Sequence, residues 1–241
     1  MPPGEASALK CFSQRVLADA SNNWSEDNKL GEGGYGIVYK GWLPEAKQLV
    51  AIKVLNTHGR DSSAREAAFY RELSMQVDQQ HIVKLLGYCP QLQALVFEYM
   101  GGGNLGDWLA SPNSRAKTGL RRRVLWLLQI ASALAFLHTE FALPIRHWDI
   151  KPSNVLLSIG RKVAKVADMG LAKFYTGDAT STGLDARGTW AYLDPTYLMT
   201  GKYTPASDVY SFGLLLLQVV TADPVPAHAR ASADAAVKAD S

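Results

Sequence analysis

The sequence predicts an α+β chain in two lobes, a small antiparallel β lobe carrying one helix and then a mainly helical lobe. Three observations predict it. Short runs of β-formers fill most of residues 24–100, with one helical stretch among them. A long apolar run at residues 120–139 suits a helix. Between the two compositions stands Gly101-Gly102-Gly103, which reads as the hinge.

Element by element, residues 9–20 read as one helix ending in the polar Ser21-Asn22-Asn23 cluster, inside an N-terminal extension of residues 1–23. Residues 30–42, where glycines alternate with Tyr35, Ile37, Val38 and Tyr39, read as a strand, and residues 48–55 as its hairpin partner. Mixed charge at helical spacing marks residues 62–77 as a helix, and residues 81–89 and 94–100 return to β-rich runs. The second lobe, residues 101–222, opens with a short helix at 105–110, a polar loop at 111–119 and a helix at 120–139 that is apolar on nearly every face, as an interior helix is. Residues 163–167 form a short strand, and residues 223–241 are a Pro/Ala-rich tail.

Composition excludes several classes. With 47% hydrophobic and 20% charged residues over 241 positions, the chain has the apolar content for a core and is not a disordered tract. The 25 Lys and Arg nearly balance the 22 Asp and Glu and form no dense basic block, so no nucleic-acid partner is expected. Cys11 and Cys89 stand apart with no CxxC, which argues against a disulfide framework or zinc site and for a reducing, cytoplasmic location. No secretory signal is visible, and the longest apolar stretch, residues 124–137, is interrupted by Gln129 and Ser132. It falls short of the roughly 20 residues that span a bilayer, so no transmembrane segment is expected.

Gly31-Glu32-Gly33-Gly34-Tyr35-Gly36 fits G-x-G-x-x-G, used both by dinucleotide folds and by the phosphate-covering loop of kinases. Its flanks decide: a dinucleotide turn opens a helix and needs an acidic residue about 20 positions on, whereas Ile37-Val38-Tyr39-Lys40 continues as strand and Asn56-Thr57 stands where the acid would be. Val50-Ala51-Ile52-Lys53 puts an ammonium in an apolar strand, where it needs an anionic partner. Glu72 and Glu66 are the candidates on the next helix; Glu72, beside apolar Leu73, is preferred. His147-Trp148-Asp149-Ile150-Lys151-Pro152-Ser153-Asn154 and then Asp168-Met169-Gly170 supply a base, a cation and two metal-binding oxygens in the order phosphoryl transfer requires, although each piece alone also suits a turn.

Together these motifs resemble the eukaryotic protein kinases, and Leu86-Gly87-Tyr88-Cys89, Leu95-Val96-Phe97-Glu98-Tyr99-Met100, Tyr192-Leu193-Asp194-Pro195 and Ser207-Asp208-Val209-Tyr210-Ser211-Phe212-Gly213 resemble the plant receptor-like cytoplasmic kinases and interleukin-receptor-associated kinases. The resemblance implies a serine/threonine protein kinase in signal transduction. ATP would lie under Leu30, Gly31, Glu32, Gly33, Gly34, Gly36 and Val38, its adenine between Ala51 and Leu156 and bonded to the backbone of Glu98 and Met100, with Phe97 as gatekeeper. Lys53, held by Glu72, would meet the α- and β-phosphates, Asn154 and Asp168 would hold Mg2+, Asp149 would accept the substrate proton and Lys151 would steady the transferred phosphate. The implied partners are a protein substrate with a Ser/Thr acceptor and an upstream receptor or scaffold.

Three features depart from the family. Trp148 stands where an Arg ordinarily pairs with an activation-segment phosphate, Thr196 replaces a Glu, and the late helices that would enclose residues 212–220 are not recognisable, so the C-lobe is expected to be shortened with one side of that helix uncovered. These departures motivate an alternative, a nucleotide-binding pseudokinase or scaffold with little activity.

Overall fold

Residues 10 and 11, at the head of the expected first helix, are instead an edge strand. The computed structural model describes residues 9–33, 36–55, 62–75, 77–176 and 188–223. The chain divides into two compact units, Met1–Met100 and Gly101–Ser241. In the first, β1 (Lys10–Cys11) pairs in parallel with residues 87 and 88. Helix α1 (Gln14–Ala20) begins only after Ser13, whose hydroxyl accepts from the Val16 N–H. A Ser is a better N-cap than interior residue, and this cap lets Phe12 and Leu17 both enter the core with Val50 and Ile52.

The expected single strand at 30–42 is two strands, β2 (Lys29–Gly33) and β3 (Gly36–Leu43), folded back on each other with Gly33 opposite Gly36. Only glycine serves at 36: its φ is +145°, and a Cβ there would lie 2.3 Å from the Val54 carbonyl oxygen. Strand β4 (Gln48–Val54) follows, then α2 (Ser62–Ser74), shorter than expected, β5 (Leu85–Cys89), the only strand in residues 81–89, and β6 (Ala94–Glu98). The sheet order is β1-β5-β6-β4-β3-β2, antiparallel except for β1.

The second unit is mainly helical: α3 (Leu105–Ala110), α4 (Pro112–Lys117), α5 (Leu120–Thr139), α6 (Pro195–Thr200) and α7 (Pro205–Thr221). Short strands β7 (Ile145–Arg146), β8 (Val155–Leu157), β9 (Ala164–Val166) and β10 (Lys173–Phe174) form two hairpin-like pairs, β7 with β10 and β8 with β9. Helix α4 corrects the expected loop at 111–119: Pro112 suits a first helical turn and the Ser111 hydroxyl caps the Ser114 N–H. Helix α5 is not buried all round. Trp126, Ile130, Ala133 and Leu137 face the core, but Leu120, Val124, Leu125 and Leu128 are exposed. Helix α7 divides similarly, with Leu214, Leu215 and Val219 buried and Leu216, Leu217 and Val220 on the accessible side. Among the described residues no helix is long and apolar enough to cross a membrane, and both cysteines are free thiols. The α+β class expected from the sequence is the class observed.

Candidate active site

In the first unit, register places the expected residues side by side. Val38 lies opposite Lys53, and Ala51 sits between Lys40 and Phe97 on its two neighbouring strands. Leu30, Gly31, Glu32 and Gly33 lie along exposed β2, while Gly34 lies outside the described residues. The Lys53 ammonium is buried and bonds both Glu72 carboxylate oxygens at 2.9 Å. Glu66 is exposed on the same helix. A buried two-oxygen contact fixes the ammonium far better than a surface ion pair would. At the end of β6 the Glu98 N–H donates to the Lys84 carbonyl at 3.0 Å, and the Glu98 carboxylate accepts from the Lys84 N–H at 2.7 Å. Met100 follows outside any helix or strand.

In the second unit, Asp149, Lys151 and Asn154 are directly bonded. Asp149 Oδ2 accepts from Lys151 Nζ at 2.7 Å and from Asn154 Nδ2 at 2.9 Å, and Asp149 Oδ1 accepts from the Thr189 hydroxyl at 3.0 Å. Lys151 Nζ also donates to Thr189 Oγ1 at 2.7 Å. A carboxylate has about four acceptor positions; among the described residues three are filled, and one on Oδ1 receives no donor from them. Both Asn154 amide hydrogens go to Asp149, one to its side chain and one to its carbonyl at 2.8 Å, which leaves Asn154 Oδ1 as the acceptor end. Asp168 follows β9, whose Val166 pairs with Val155, and the Ala167 N–H bonds the Asn154 carbonyl at 2.8 Å. Asp168 holds a left-handed backbone, φ 65°, an unfavourable conformation of the kind that clusters at functional sites. Leu156 lies on β8 and bridges to Asn104.

Below this assembly lies a residue the sequence analysis used only as a family mark. Asp208, fully buried at the first turn of α7, accepts from the His147 N–H at 2.8 Å, the Trp148 N–H at 2.9 Å, the Tyr203 hydroxyl at 2.7 Å and His138 Nε2 at 3.0 Å. Burial alone would raise its pKa, but the His138 bond, the His147 ring and the Tyr203 and His147 donors hold it below the ordinary carboxylate range. It pins Trp148 in a left-handed conformation, φ 71°, so Asp149 follows a sharp, fixed bend. Burial and the neighbouring Asp208 carboxylate push the Tyr203 hydroxyl pKa up. Thr189 was likewise missed as a site residue. No local pattern marks either role, since the contacts with residues 147–151 that make both span 38 to 61 positions in sequence.

Trp148 is buried with Leu171, Leu193, Tyr197 and Tyr203. Arg146 lies 5.1 Å from its ring centroid and Lys173 Nζ 4.4 Å from it. Arg146 donates to the Tyr203 carbonyl and, at 3.1 Å, to the Phe174 carbonyl, and desolvation lowers its pKa. The Trp148 indole N–H is buried with no partner among the described residues. Aromatic packing and cation–π contact thus occupy this position.

The protein kinase domain profile matches residues 24–241. The chain belongs to the protein kinase family. This kinase domain is 38% identical over 225 residues to U-box domain-containing protein 70 of Oryza sativa subsp. japonica, covering 90% of the chain and 27% of that protein. It is 41% identical over 216 residues to a probable leucine-rich repeat receptor-like protein kinase of Arabidopsis thaliana, with 88% and 22% covered. To a probable receptor-like protein kinase of the same plant it is 37% identical over 213 residues, with 87% and 43% covered. The chain therefore spans less than half the length of these relatives. Their kinship agrees with the expected resemblance to plant receptor-like kinases.

Among the described residues no three His, Cys, Asp or Glu side chains form a metal cage. A nucleotide-borne Mg2+ does not need one, because it takes one or two protein oxygens and completes its shell with phosphates and water. The acceptor end of Asn154 and the Asp168 carboxylate are hard oxygen donors of that type.

Proposed function

We propose that this kinase domain is an ATP-dependent serine/threonine kinase that moves the γ-phosphoryl group onto a protein hydroxyl. The observation that carries the proposal is the open acceptor position on Asp149 Oδ1, beside an ammonium held in place by Asp149 and Thr189. The substrate hydroxyl donates its proton to Asp149 as its oxygen bonds the γ-phosphorus, the bond to the β-phosphate oxygen breaks, and ADP leaves. Lys151 steadies the charge on the transferred group. Leu30, Gly31, Glu32, Gly33, Gly34, Gly36 and Val38 cover the nucleotide, Ala51 and Leu156 give its base apolar contacts, and Lys53, oriented by Glu72, meets its α- and β-phosphates. Glu98, whose N–H donates to Lys84, and Met100 present their backbone to the base. Asn154 and Asp168 hold Mg2+, which neutralises phosphate charge when bound. A protein carrying Ser or Thr is the substrate, a receptor or scaffold the upstream partner, and the cytoplasm the location.

Transfer of labelled phosphate from ATP to a generic basic protein tests this, with identification of the phosphorylated amino acid. Lys53→Met is expected to lose more than about tenfold in kcat, roughly 1.4 kcal/mol; a variant retaining more would overturn the assignment of Lys53. Trp148 favours one other reading, a pseudokinase, because its buried N–H and engaged cations offer no clamp for an activation-segment phosphate. That reading predicts nucleotide binding with no transfer.

A further inference from the structure

We infer that the second unit carries a site for a small molecule bearing two or more phosphate groups, in the cavity formed by α4, the start of α5 and the turn between β8 and β9. The cavity measures about 360 Å³, within the range of about 300–1,000 Å³ typical of small-molecule pockets. Lys117, Arg122 and Arg161 line it, with Ser114, Thr118 and Trp126, and no Asp or Glu does. None of the three cations forms an ion pair among the described residues.

Two backbone carbonyls and one hydroxyl instead fix the two guanidinium groups. Arg161 donates through Nε to the Gly102 carbonyl at 3.1 Å and through Nη1 to Ser114 Oγ at 3.0 Å, while Arg122 Nη1 donates to the Lys162 carbonyl at 3.1 Å. A guanidinium has five N–H donors, so each Arg is anchored and still keeps a free edge. Ser114 accepts from Arg161 and keeps its own hydroxyl proton to donate. Arg161 itself is held in a left-handed conformation, φ 55°, by the bond from Trp126 Nε1 to its carbonyl at 3.0 Å. The start of α5, capped by Gly119 with no side-chain acceptor, adds its positive dipole end. Pre-oriented guanidinium forks with no carboxylate partner suit phosphate oxygens, which they bind in pairs. Three cations exceed the charge of one phosphate monoester, hence two or more phosphate groups.

Calorimetry with inositol trisphosphate tests the site on the full chain. Binding should weaken as salt rises, should persist in Lys53→Met, and should fall about tenfold or more in Lys117→Gln/Arg122→Gln, a pair that leaves the Arg161 bonds to Gly102 and Ser114 in place. No binding, or binding that the double variant leaves unchanged, would overturn the proposal. Phosphatidylcholine vesicles with and without phosphatidylinositol bisphosphate then separate the sources: binding to the doped vesicles marks a lipid headgroup, and binding to soluble inositol trisphosphate alone marks a free ligand.

Discussion

Two buried carboxylates in the second unit, Asp149 and Asp208, differ in one acceptor position. Asp208 receives four donors, two on each oxygen, and is saturated. Asp149 receives three among the described residues, which leave one position on Oδ1 unfilled. A saturated buried carboxylate can only hold structure, here the backbone N–H groups of His147 and Trp148. An unsaturated one beside a fixed ammonium can take a proton from a third party. The difference teaches that burial and charge alone do not tell these two acids apart, whereas the filled acceptor positions do.

The largest effect that would break this comparison is on catalysis. Asp149→Asn should lower phosphoryl transfer by about 10²–10⁴-fold, the usual contribution of a general base, while the thermal unfolding midpoint falls by less than in Asp208→Asn because its partner Lys151 is partly exposed and the amide oxygen still accepts from a neighbour. If instead melting collapses and activity survives, the two roles have been exchanged. Next, Asp208→Asn should cost about 3–5 kcal/mol of stability, as removal of one partner from a buried charged cluster does, read as a lower midpoint in denaturant. Stability close to that of the unchanged chain would show that the donors around Asp208 find other acceptors.

The same comparison has a pH signature. Asp208 titrates below its ordinary value in the folded chain, so its contribution is complete above the unfolded value near 3.8 and is lost as pH falls through the lower folded value. Acid unfolding followed by circular dichroism should therefore be steep below about pH 4 and shallower in Asp208→Asn.

Smaller effects sharpen the contrast between buried and accessible faces. On α7, Leu215→Ala should cost about 2–5 kcal/mol, whereas Leu217→Ser should stay within about 0.5 kcal/mol and reduce any self-association seen by light scattering. The smallest expected change concerns regulation. With Trp148 in place of a phosphate-binding cation, replacing Thr180, Ser181 and Thr182 together by Ala should alter kcat only modestly. A collapse of activity rescued by prior phosphorylation would show that another cation, such as Arg187, has assumed the role; all four lie outside the described residues.

Much of the candidate site was legible because its signals are local. The glycine run, Lys53 within a β-run, and Asp149, Lys151 and Asn154 within six positions need no long-range contact to be recognised. The choice of Glu72 over Glu66 used the apolar neighbour Leu73, and the buried pair with Lys53 agrees with it. Errors in the elements also have local causes: a cap at Ser13 and another at Ser111 outweighed the periodicity read around them, and α5 looked interior because apolar residues occupy both its buried and accessible faces.

The sequence by itself determined the family, the α+β class and which residues are offered for nucleotide, metal and proton, because these reside in short motifs whose chemistry needs particular residue types at particular spacing. Only the tertiary structure decided which carboxylate is saturated, that Thr189 bridges Asp149 and Lys151, that Arg146 and Lys173 face the Trp148 ring, and that Lys117, Arg122 and Arg161 converge on one cavity. The physical reason is range: a hydrogen bond is satisfied over a few ångströms in space, and pairs such as Lys151 with Thr189 and His147 with Asp208, 38 and 61 positions apart, reach that distance only after the chain has packed.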